Sequence, residues 1–416
     1  MRLQRSAATA VILGLLVTAC TGQGTPNASP TPAAPSAAVS GPPASGEGGT
    51  VVVGAGLALT GAMAPFDVPA LNGLKLGIKE INAAGGIDGK WKIELRVEDM
   101  KTDAAVGAQV GQSLVTGGAN IVVVPCDQDP ALSVAQAPAR AGIPTFSSCA
   151  GSATLPNAAG DSVFITAMGN NEQGAALADY AYNTAGYRNA YVMVTHDFSF
   201  GLTTPRYFAK AFEALGGKVV AEDNFKILSG DFSAQIAKIR NLNPAPDVIE
   251  MSGFVPDPPT FVKQLRAAGV NIPVLGTDGS DSPILLQVGG SQVEGFVFST
   301  HAFPVAGSSV ATFYEKYKAE YGTDPESSFT AVGYDLSQVI AAGVTLAKST
   351  DPKALIDAFN NLENVQGATG PITYKGRTRV PLKAVALVKV ENGKLTLIKS
   401  YVPDPALIPA PSSIDQ

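Results

Sequence analysis

The sequence is poor in the residues that build metal centres and nucleic-acid-binding surfaces. Its 416 residues include two histidines and three cysteines, and these do not stand at metal-ligand spacing. Lysine and arginine number 29 against 35 aspartates and glutamates, so the formal net charge is −6, and no basic run is present. A protein that binds nucleic acid needs many contacts from basic side chains to phosphates. The composition therefore argues against a metal held by cysteines and histidines and against a nucleic-acid partner.

A short uncharged segment follows two arginines at the start of the chain. Arg2 and Arg5 precede residues 7–19, which carry no charge and include the apolar run AVILGLLV. A membrane-spanning helix needs about 20 apolar residues, so the pattern predicts a signal peptide over residues 1–19. The sequence LVTAC at its end resembles the lipobox of bacterial lipoproteins. This resemblance implies a lipid on Cys20 and a mature chain anchored to the outer face of the bacterial cell membrane.

Aromatic residues are absent from residues 20–49, and Glu47 is the one charged residue there. Pro, Ala, Ser, Gly and Thr dominate the segment, and such a composition cannot bury enough apolar surface to offset the entropy of ordering. We therefore predict a disordered tether between the membrane anchor and a globular body. In that body we expect no apolar stretch long enough to span a bilayer.

Two cysteines remain once Cys20 is assigned to the lipid. Cys126 and Cys149 are then expected outside the cytoplasm, where disulfides form and persist. An even pair in that compartment predicts a disulfide between them.

The body from residue 50 onward alternates apolar runs with helical segments. Most of the runs are continuously apolar, which is typical of strands buried on both faces of a parallel sheet. Repeated βα units of this kind predict an α/β fold, and their number favours two doubly wound lobes. The nine predicted strands span residues 51–57, 92–99, 120–126, 143–148, 190–196, 218–225, 247–253, 272–278 and 295–300.

The first strand runs into a glycine-rich stretch, TVVVGAGLALTGAM, over residues 50–63. A dinucleotide-binding loop has the pattern G-x-G-x-x-G. Gly54 and Gly56 fit that pattern, but its third glycine position is occupied by Leu59. The sequence therefore predicts no nucleotide cofactor. The glycines are expected to let the backbone turn at the carboxyl end of the strand, where ligands bind in open α/β sheets.

Five stretches of the body resemble one known family in their order and spacing. LTGAMAPFDVPALNGLKLGIKEINAAGGIDGKWKIELRVEDMKTD spans residues 59–103, and FVKQLRAAGVNIPVLGTDG spans residues 261–279. Together with residues 230–254, 313–335 and 368–377, they resemble the type I periplasmic binding proteins of ABC importers. Within that family the resemblance is greatest to the branch named for leucine, isoleucine and valine binding.

The resemblance implies two Rossmann-like lobes joined by a three-segment hinge. Lobe 1 is expected over residues 50–168 and 300–372, and lobe 2 over residues 169–299 and 373–403, with a C-terminal tail over residues 404–416. Such lobes close on a small molecule, and the closed form docks on a membrane permease. The hinge crossings are expected near Ala167–Asn170, Ser299–Ala302 and Ile372–Tyr374.

The resemblance also implies an amino-acid site at the strand ends. The position that takes a ligand ammonium falls on Asp278, and an aspartate of the family at the lobe crossing falls on Asn170. Common tyrosines of the family fall on Phe66, Phe200 and Phe254. The positions that take a ligand carboxylate fall near Asp127, Gln128, Cys149, Ala150 and Gly151.

At several of these positions the residue differs from the one common in the family. The differences weaken the end that takes a carboxylate and remove hydroxyl groups. Asp127 is a poor partner for a ligand carboxylate, because like charges repel. Gly151 stands where the family often has threonine or serine, and phenylalanines replace the tyrosines. An unpaired carboxylate in a closed cleft is costly, so Asp278 is expected to require a cation or a donor from the ligand. These departures predict a ligand with an amine or other donor group and an apolar body, and not a standard amino acid of the leucine type.

Two local motifs have other interpretations. Asp129, which precedes Pro130, is expected to cap a helix. His196, Asp197 and Ser199 invite a catalytic reading, but an adjacent His and Asp do not readily adopt base-and-orienter geometry, and no G-x-S-x-G elbow occurs. We therefore predict a binding protein, not an enzyme, that delivers its ligand to an ABC importer. A ligand sensor of the same fold that signals to a membrane receptor is the alternative.

Overall fold

Residues 48–414 are described by the structure, which is a computed structural model. The predicted signal peptide, Cys20 and the tether up to residue 47 lie outside the described residues.

The first part of the chain builds a five-stranded parallel sheet. Its strands lie in the order β2-β1-β3-β4-β5, and the helices that follow them cover its faces. This sheet and the helices packed on it form lobe 1. The elements are β1 (Gly49–Leu57), α1 (Ala64–Ala83), β2 (Trp91–Asp99), α2 (Ala104–Thr116), β3 (Ile121–Val124), α3 (Gln128–Arg140), β4 (Thr145–Ser147), α4 (Leu155–Ala159) and β5 (Val163–Ile165).

Gly54 and Gly56 lie inside β1, so our prediction that they turn the backbone after the strand is wrong. A Cβ atom on Gly54 would lie 2.8 Å from the side chain of Leu114, and one on Gly56 would lie 2.6 Å from that of Val110. Both contacts are with α2. The glycines therefore allow α2 to pack directly on β1.

The chain then crosses into a second sheet, which forms lobe 2 together with its helices. Its strand order is β14-β13-β10-β9-β8-β6-β7, and β6 to β10 are mutually parallel. A π-helical turn at Tyr180–Thr184 extends α5. The elements are α5 (Asn170–Asp179), β6 (Asn189–Val194), α6 (Ser199–Ala214), β7 (Lys218–Asn224), α7 (Ser233–Asn241), β8 (Val248–Met251), α8 (Asp257–Ala267), β9 (Val274–Gly276), α9 (Ile284–Gly289) and β10 (Val297–Thr300).

After β10 the chain returns to lobe 1 as three helices and a small hairpin. They are α10 (Ser309–Tyr321), α11 (Phe329–Ala347), α12 (Pro352–Asn360), β11 (Val365–Gly367) and β12 (Gly370–Ile372). By length and composition α11 could cross a membrane, which corrects our expectation that no stretch of the body is long enough. The helix packs against α1 and shares a core with β1, so its apolar surface is explained by burial in lobe 1.

The last strands, β13 (Val385–Glu391) and β14 (Lys394–Tyr401), complete the sheet of lobe 2 in antiparallel orientation. The third crossing differs in position from our expectation of Ile372–Tyr374. The ring of Tyr374 packs in the lobe 1 core, and its hydroxyl donates to the carbonyl of Ile165 at 2.8 Å. The chain therefore leaves lobe 1 between Tyr374 and Val385.

Each of the nine predicted strands overlaps a strand of the structure, and the predicted α/β fold with two doubly wound lobes is confirmed. The parallel strands of both lobes have the same order, since β7-β6-β8-β9-β10 repeats the order β2-β1-β3-β4-β5. In sheets of this order, ligands bind at the carboxyl ends of the strands, where the order reverses. The two reversals, at β1/β3 and at β6/β8, are therefore where a site is expected.

Candidate functional site

A buried aspartate accepts hydrogen bonds from the residues that follow β1 and β3 in lobe 1. Asp67, in the first turn of α1, accepts hydrogen bonds from the backbone N–H of Ala58 at 2.7 Å and of Cys126 at 2.8 Å. Burial raises the pKa of Asp67 to about 7, although both hydrogen bonds act to lower it. Our sequence analysis missed this residue. The feature that could have identified it is an aspartate among apolar residues in the first turn of a helix.

Cys126 and Cys149 form a disulfide at the ends of β3 and β4. These strands are neighbours in the sheet, and the Cα atoms lie 4.6 Å apart. The predicted bond is therefore present in the structure, and it forms part of the wall of a cavity between the lobes.

Asp127 and Gln128 form the lobe 1 side of that cavity at the start of α3. Asp127 caps the helix by accepting from the backbone N–H of Asp129 at 3.1 Å. Burial raises the pKa of Asp127 to about 8, and the nearby carboxylate of Asp129 adds to the rise. The side-chain oxygen of Gln128 accepts from Ser152 and Thr154. Asp127 can therefore act as a neutral hydrogen-bond donor near pH 7, which removes the repulsion that we expected.

Asp129 does not cap α3, so that prediction is wrong. Its carboxylate accepts hydrogen bonds from the backbone N–H and the hydroxyl of Ser199. Ser199 is the first residue of α6 in lobe 2. The aspartate therefore connects the two lobes, and sequence order alone gives no sign of this pairing.

Gly151 and Asn170 meet where the chain first crosses between lobes. The backbone N–H of Asn170 donates to the carbonyl of Gly151 at 2.6 Å. A Cβ atom on Gly151 would lie 2.2 Å from Oδ1 of Asn170. A side chain at position 151 would therefore have to displace the amide of Asn170, the asparagine that stands in place of the aspartate of the family. The next predicted residue, Ala150, is buried in the lobe 1 core and is absent from the cavity wall.

Aromatic rings from both lobes form the apolar part of the wall. The ring of Phe254 stacks on Phe200, with centroids 4.9 Å apart, and contacts Phe66 of lobe 1 at 5.4 Å. Phe66 also meets Phe329 edge-on at 5.2 Å. Met63 lines the wall as well. Our sequence analysis missed Met63, which precedes α1, and Phe329, which begins α11. Neither residue directly follows a strand, so no strand end indicates it.

Asp278 lies in the turn after β9 and faces the same cavity. Its backbone N–H donates to the side-chain oxygen of Gln173 at 3.3 Å. Its Oδ2 lies 3.3 Å from Nε2 of His301, and both side chains are buried. His301 follows β10 at the second crossing and was not among the predicted residues.

The structure brings nine of the ten predicted ligand-binding residues to this narrow cavity between the lobes, Ala150 being the exception. Their contact with a ligand remains a prediction. The arrangement offers donors and acceptors from both lobes around an apolar centre, as small-molecule sites do, and its open space of about 10 Å³ is close to that of one water molecule.

The hinge carries its own buried polar contacts. Lys383, in the third crossing, lies 3.1 Å from Oδ2 of Asp335 on α11, and both side chains are buried. Glu172, at the start of α5, accepts from the backbone N–H of Gly169 at 3.0 Å and of Lys383 at 3.4 Å. Burial raises the pKa of Glu172 to about 7. These contacts fix the first and third crossings beside each other.

Comparison with known families identifies the architecture. The family described as "Periplasmic binding protein" matches residues 50–394. The chain belongs to this family. Its members are extracytoplasmic solute-binding proteins and not enzymes, which confirms the predicted class. His196 is exposed and Ser199 bonds to Asp129, so neither is assigned a catalytic role.

Individual periplasmic binding proteins resemble the chain over most of its length. Leu/Ile/Val-binding protein homolog 1 of Brucella melitensis is 25% identical over 344 residues, which cover 82% of this chain and 91% of that protein. The leucine-binding protein LivK of Thermotoga maritima has a TM-score of 0.79 and 25% identity, over 85% of this chain and 99% of its own. A solute-binding protein of R. palustris in complex with benzoate has a TM-score of 0.74 and 23% identity, over 85% and 97%.

Proposed function

We propose that this protein captures a small molecule between its closing lobes and delivers it to the permease of an ABC importer. The observation that carries the proposal is the cavity at the strand ends of both sheets, whose wall is shared by the two lobes. The resemblance to proteins named for branched-chain amino acids and to a benzoate complex supports a ligand with a polar end and an apolar body.

The residues predicted to contact this ligand are those of the cavity wall. Phe66, Phe200 and Phe254 offer an apolar and polarisable surface, which favours an aliphatic or aromatic body. Asp127 and Asp278 offer polar contacts from opposite lobes. A ligand that reaches both carboxyl groups would stabilise the closed form over the open form, because only the closed form presents them together.

A ligand screen tests the proposal. Amino acids, amides, amines and aromatic acids are added to purified protein, and thermal unfolding is recorded. A ligand at 100 times its dissociation constant adds about 2.7 kcal/mol to the free energy of unfolding, which raises the melting temperature by several degrees. Calorimetry then measures affinity for each hit. The absence of any binding in all four classes would contradict the proposal.

We also propose that the protein is held at the outer face of the cell membrane by a lipid on Cys20. The uncharged run before Cys20 and the small residues Thr18 and Ala19 support a lipoprotein processing site. Cells that express the wild type or Cys20→Ala are labelled with a fatty acid that carries a clickable tag. We expect label and membrane association in the wild type and neither in the variant. Equal labelling of the two proteins would contradict the anchor.

A further inference from the structure

The wall of the cavity carries acidic groups and no basic one. Asp127 of lobe 1 and Asp278 of lobe 2 both line it, and they are 3% and 4% exposed. Within residues 48–414, none of the side chains that line this cavity belongs to lysine, arginine or histidine. A buried charge without a partner is costly. A ligand that carries a negative charge would therefore find no opposite charge in the wall.

The donors that the side chains of the wall offer are uncharged. Ser152 is the one hydroxyl-bearing residue that lines the cavity in the described part of the chain, and its hydroxyl donates to the side-chain oxygen of Gln128. The phenylalanines that replace the tyrosines of the family have no hydrogen-bond donor. The amides of Gln128 and Asn170 are neutral. A ligand carboxylate would thus leave water for neutral donors only.

The charges that act on Asp127 are all negative. They belong to Asp129 in α3, to Asp67 in α1 and to Asp278 across the cavity. Burial and then these charges raise the pKa of Asp127 to about 8, so its carboxyl group holds a proton at neutral pH. A positive charge beside Asp127 can replace that proton, whereas a second negative charge would add to the repulsion.

His301 does not provide a positive charge for the ligand, whichever protonation state it has. Its side chain is 1% exposed, and its Nε2 lies 3.3 Å from Oδ2 of Asp278. A neutral imidazole brings no charge, and the charge of an imidazolium would be balanced by that carboxylate. The other titratable group on which His301 acts is Asp281, a further acid. Oδ1 of Asp278 is buried and has no hydrogen-bond partner among residues 48–414, so it can accept from a ligand.

The size of the cavity and its aromatic rings suit an ammonium group. The open space of about 10 Å³ is close to that of one water molecule, and an ammonium group is of similar size. Phe66 and Phe329 of lobe 1 and Phe200 and Phe254 of lobe 2 surround this space. Phenylalanine rings attract a cation that lies over their faces. The closed cavity can therefore enclose the charged head of a small ligand.

We propose that the cavity selects a small organic cation that has no carboxylate, with its ammonium group between Asp127 and Asp278. This inference rests on the proposed capture of a small molecule in the cavity and narrows the class of ligand. As the ammonium enters, Asp127 releases its proton to solvent and becomes the carboxylate that pairs with it. Oδ1 of Asp278 accepts another N–H of the same group. One positive charge thus replaces another, and the protein has to provide none.

Probes that share a carbon skeleton separate charge from shape. 3-Methylbutylamine, 3-methylbutan-1-ol and 4-methylpentanoate carry an ammonium, a hydroxyl and a carboxylate on the branched chain of leucine, which itself carries both charges. Benzylamine, benzyl alcohol and phenylacetate repeat the comparison with an aromatic body. Dissociation constants are measured by calorimetry at pH 6, 7 and 8.

Two variants accompany the wild type in these measurements. Asp127→Asn keeps the shape of the protonated carboxyl group and cannot release a proton. Glu213→Gln makes the same chemical change at an exposed position of α6 and is the matched control. Titrations of the wild type in two buffers with different heats of ionisation give the number of protons released on binding, so the test does not depend on the folding of Asp127→Asn.

We expect at least one of the two amines to bind the wild type at pH 8 about tenfold more tightly than the alcohol and the acid of its skeleton, and than leucine. Its affinity should rise by about tenfold or more from pH 6 to pH 8. An alkyl ammonium stays protonated over this range, as lysine does, while fewer protons compete for Asp127. The rise should be largely lost in Asp127→Asn and kept in Glu213→Gln, and amine binding should release a proton.

A ligand carboxylate held by protonated Asp127 would show the opposite pH dependence, because its affinity would fall as the pH rises. Such a result overturns the inference. An acid, an alcohol or leucine that binds as tightly as the amines also overturns it, and so does amine binding without proton release. Failure of both amines to bind overturns it as well. If another class of small molecule then binds in the screen described above, the proposed function stands without the cation selection. If nothing binds at all, both fail.

Discussion

Asp129 of lobe 1 accepts two hydrogen bonds from Ser199 of lobe 2, from the backbone N–H to Oδ2 at 2.7 Å and from the hydroxyl to Oδ1 at 2.7 Å. Ser199 begins α6, where backbone N–H groups have no partner within the helix and the helix dipole favours a negative charge. The carboxylate of one lobe thus completes a helix start of the other. This contact lies outside the three crossings and exists only when the lobes meet.

Removal of this contact should weaken ligand binding. Asp129→Ala removes both acceptors, and hydrogen bonds to charged groups contribute about 1.5–3 kcal/mol, reduced here because the contact is half-buried. We expect a loss of affinity of about tenfold, measured by calorimetry with the compounds that bind the wild type. Ser199→Ala removes one of the two bonds and should have a smaller effect. Equal affinities in wild type and Asp129→Ala would show that the contact does not stabilise closure.

The pKa of Asp127 predicts a pH dependence of stability. Its pKa is about 8 in the folded chain and about 3.9 when unfolded, so between these values the folded state binds the extra proton. The contribution of Asp127 to stability is therefore complete below about pH 4 and is lost as the pH rises to 8, at up to about 1.4 kcal/mol per pH unit. The stability of the wild type relative to Asp127→Asn should fall between pH 5 and pH 8 in urea unfolding. A constant difference would contradict burial of the carboxyl group.

The disulfide should stabilise the body and leave no free thiol there. Cys126 and Cys149 are 23 residues apart in sequence, and a loop of that size is stabilised by roughly 3 kcal/mol in the chain-entropy account. The double variant Cys126→Ser/Cys149→Ser should therefore unfold at lower urea concentration than the oxidised wild type. Thiol counting on unreduced protein without residues 1–20 should give zero. One or two titratable thiols would show that the bond is absent.

Position 151 should tolerate nothing larger than glycine. In Gly151→Ala the new Cβ would lie 2.2 Å from Oδ1 of Asn170 and 2.9 Å from the carbonyl oxygen of Met168, so the Asn170 amide must turn away and the backbone at Met168 must shift slightly. We expect weaker ligand binding and a lower melting temperature. Gly253→Ala, on the lobe 2 side beside Phe254, is the control, because its Cβ would lie 3.5 Å from its nearest neighbours. If the two variants behave alike, the fit of Gly151 against Asn170 is not a constraint.

The sequence predicts the parallel strands well because they are buried on both faces and are therefore continuously apolar. β1 and β3 are such runs. It does not predict β13 and β14. β14 is only half-buried at the sheet edge, and the alternation of strands and helices does not continue through these two strands. The family resemblance also places the third crossing too early, because the chain stays in the lobe 1 core as far as Tyr374.

Some residues of the candidate site could be predicted from the sequence, and others could not. The place of Asp127 and Asp278 at the cavity could be predicted because the family resemblance and the strand ends both indicate them, and that of Phe66 from the resemblance alone. His301 and Asp129 could not, since their partners, Asp278 and Ser199, lie 23 and 70 residues away along the chain. Such pairings are determined by how the lobes meet. Burial, which turns Asp127 from a repelling charge into a neutral donor, likewise becomes visible only in the folded chain.

The claim that the lobes close on a bound ligand is tested most directly by measuring the distance between them. Lys353 in α12 of lobe 1 and Lys238 in α7 of lobe 2 are exposed, and cysteines at these positions can carry a donor and an acceptor dye while Cys126 and Cys149 remain bonded. Single-molecule energy transfer is recorded without ligand and with leucine, benzoate or benzamide at saturating concentration. We predict that each compound that binds by calorimetry shifts the population toward the state with the shorter distance. An unchanged distance distribution in the presence of a bound compound would contradict capture by closure.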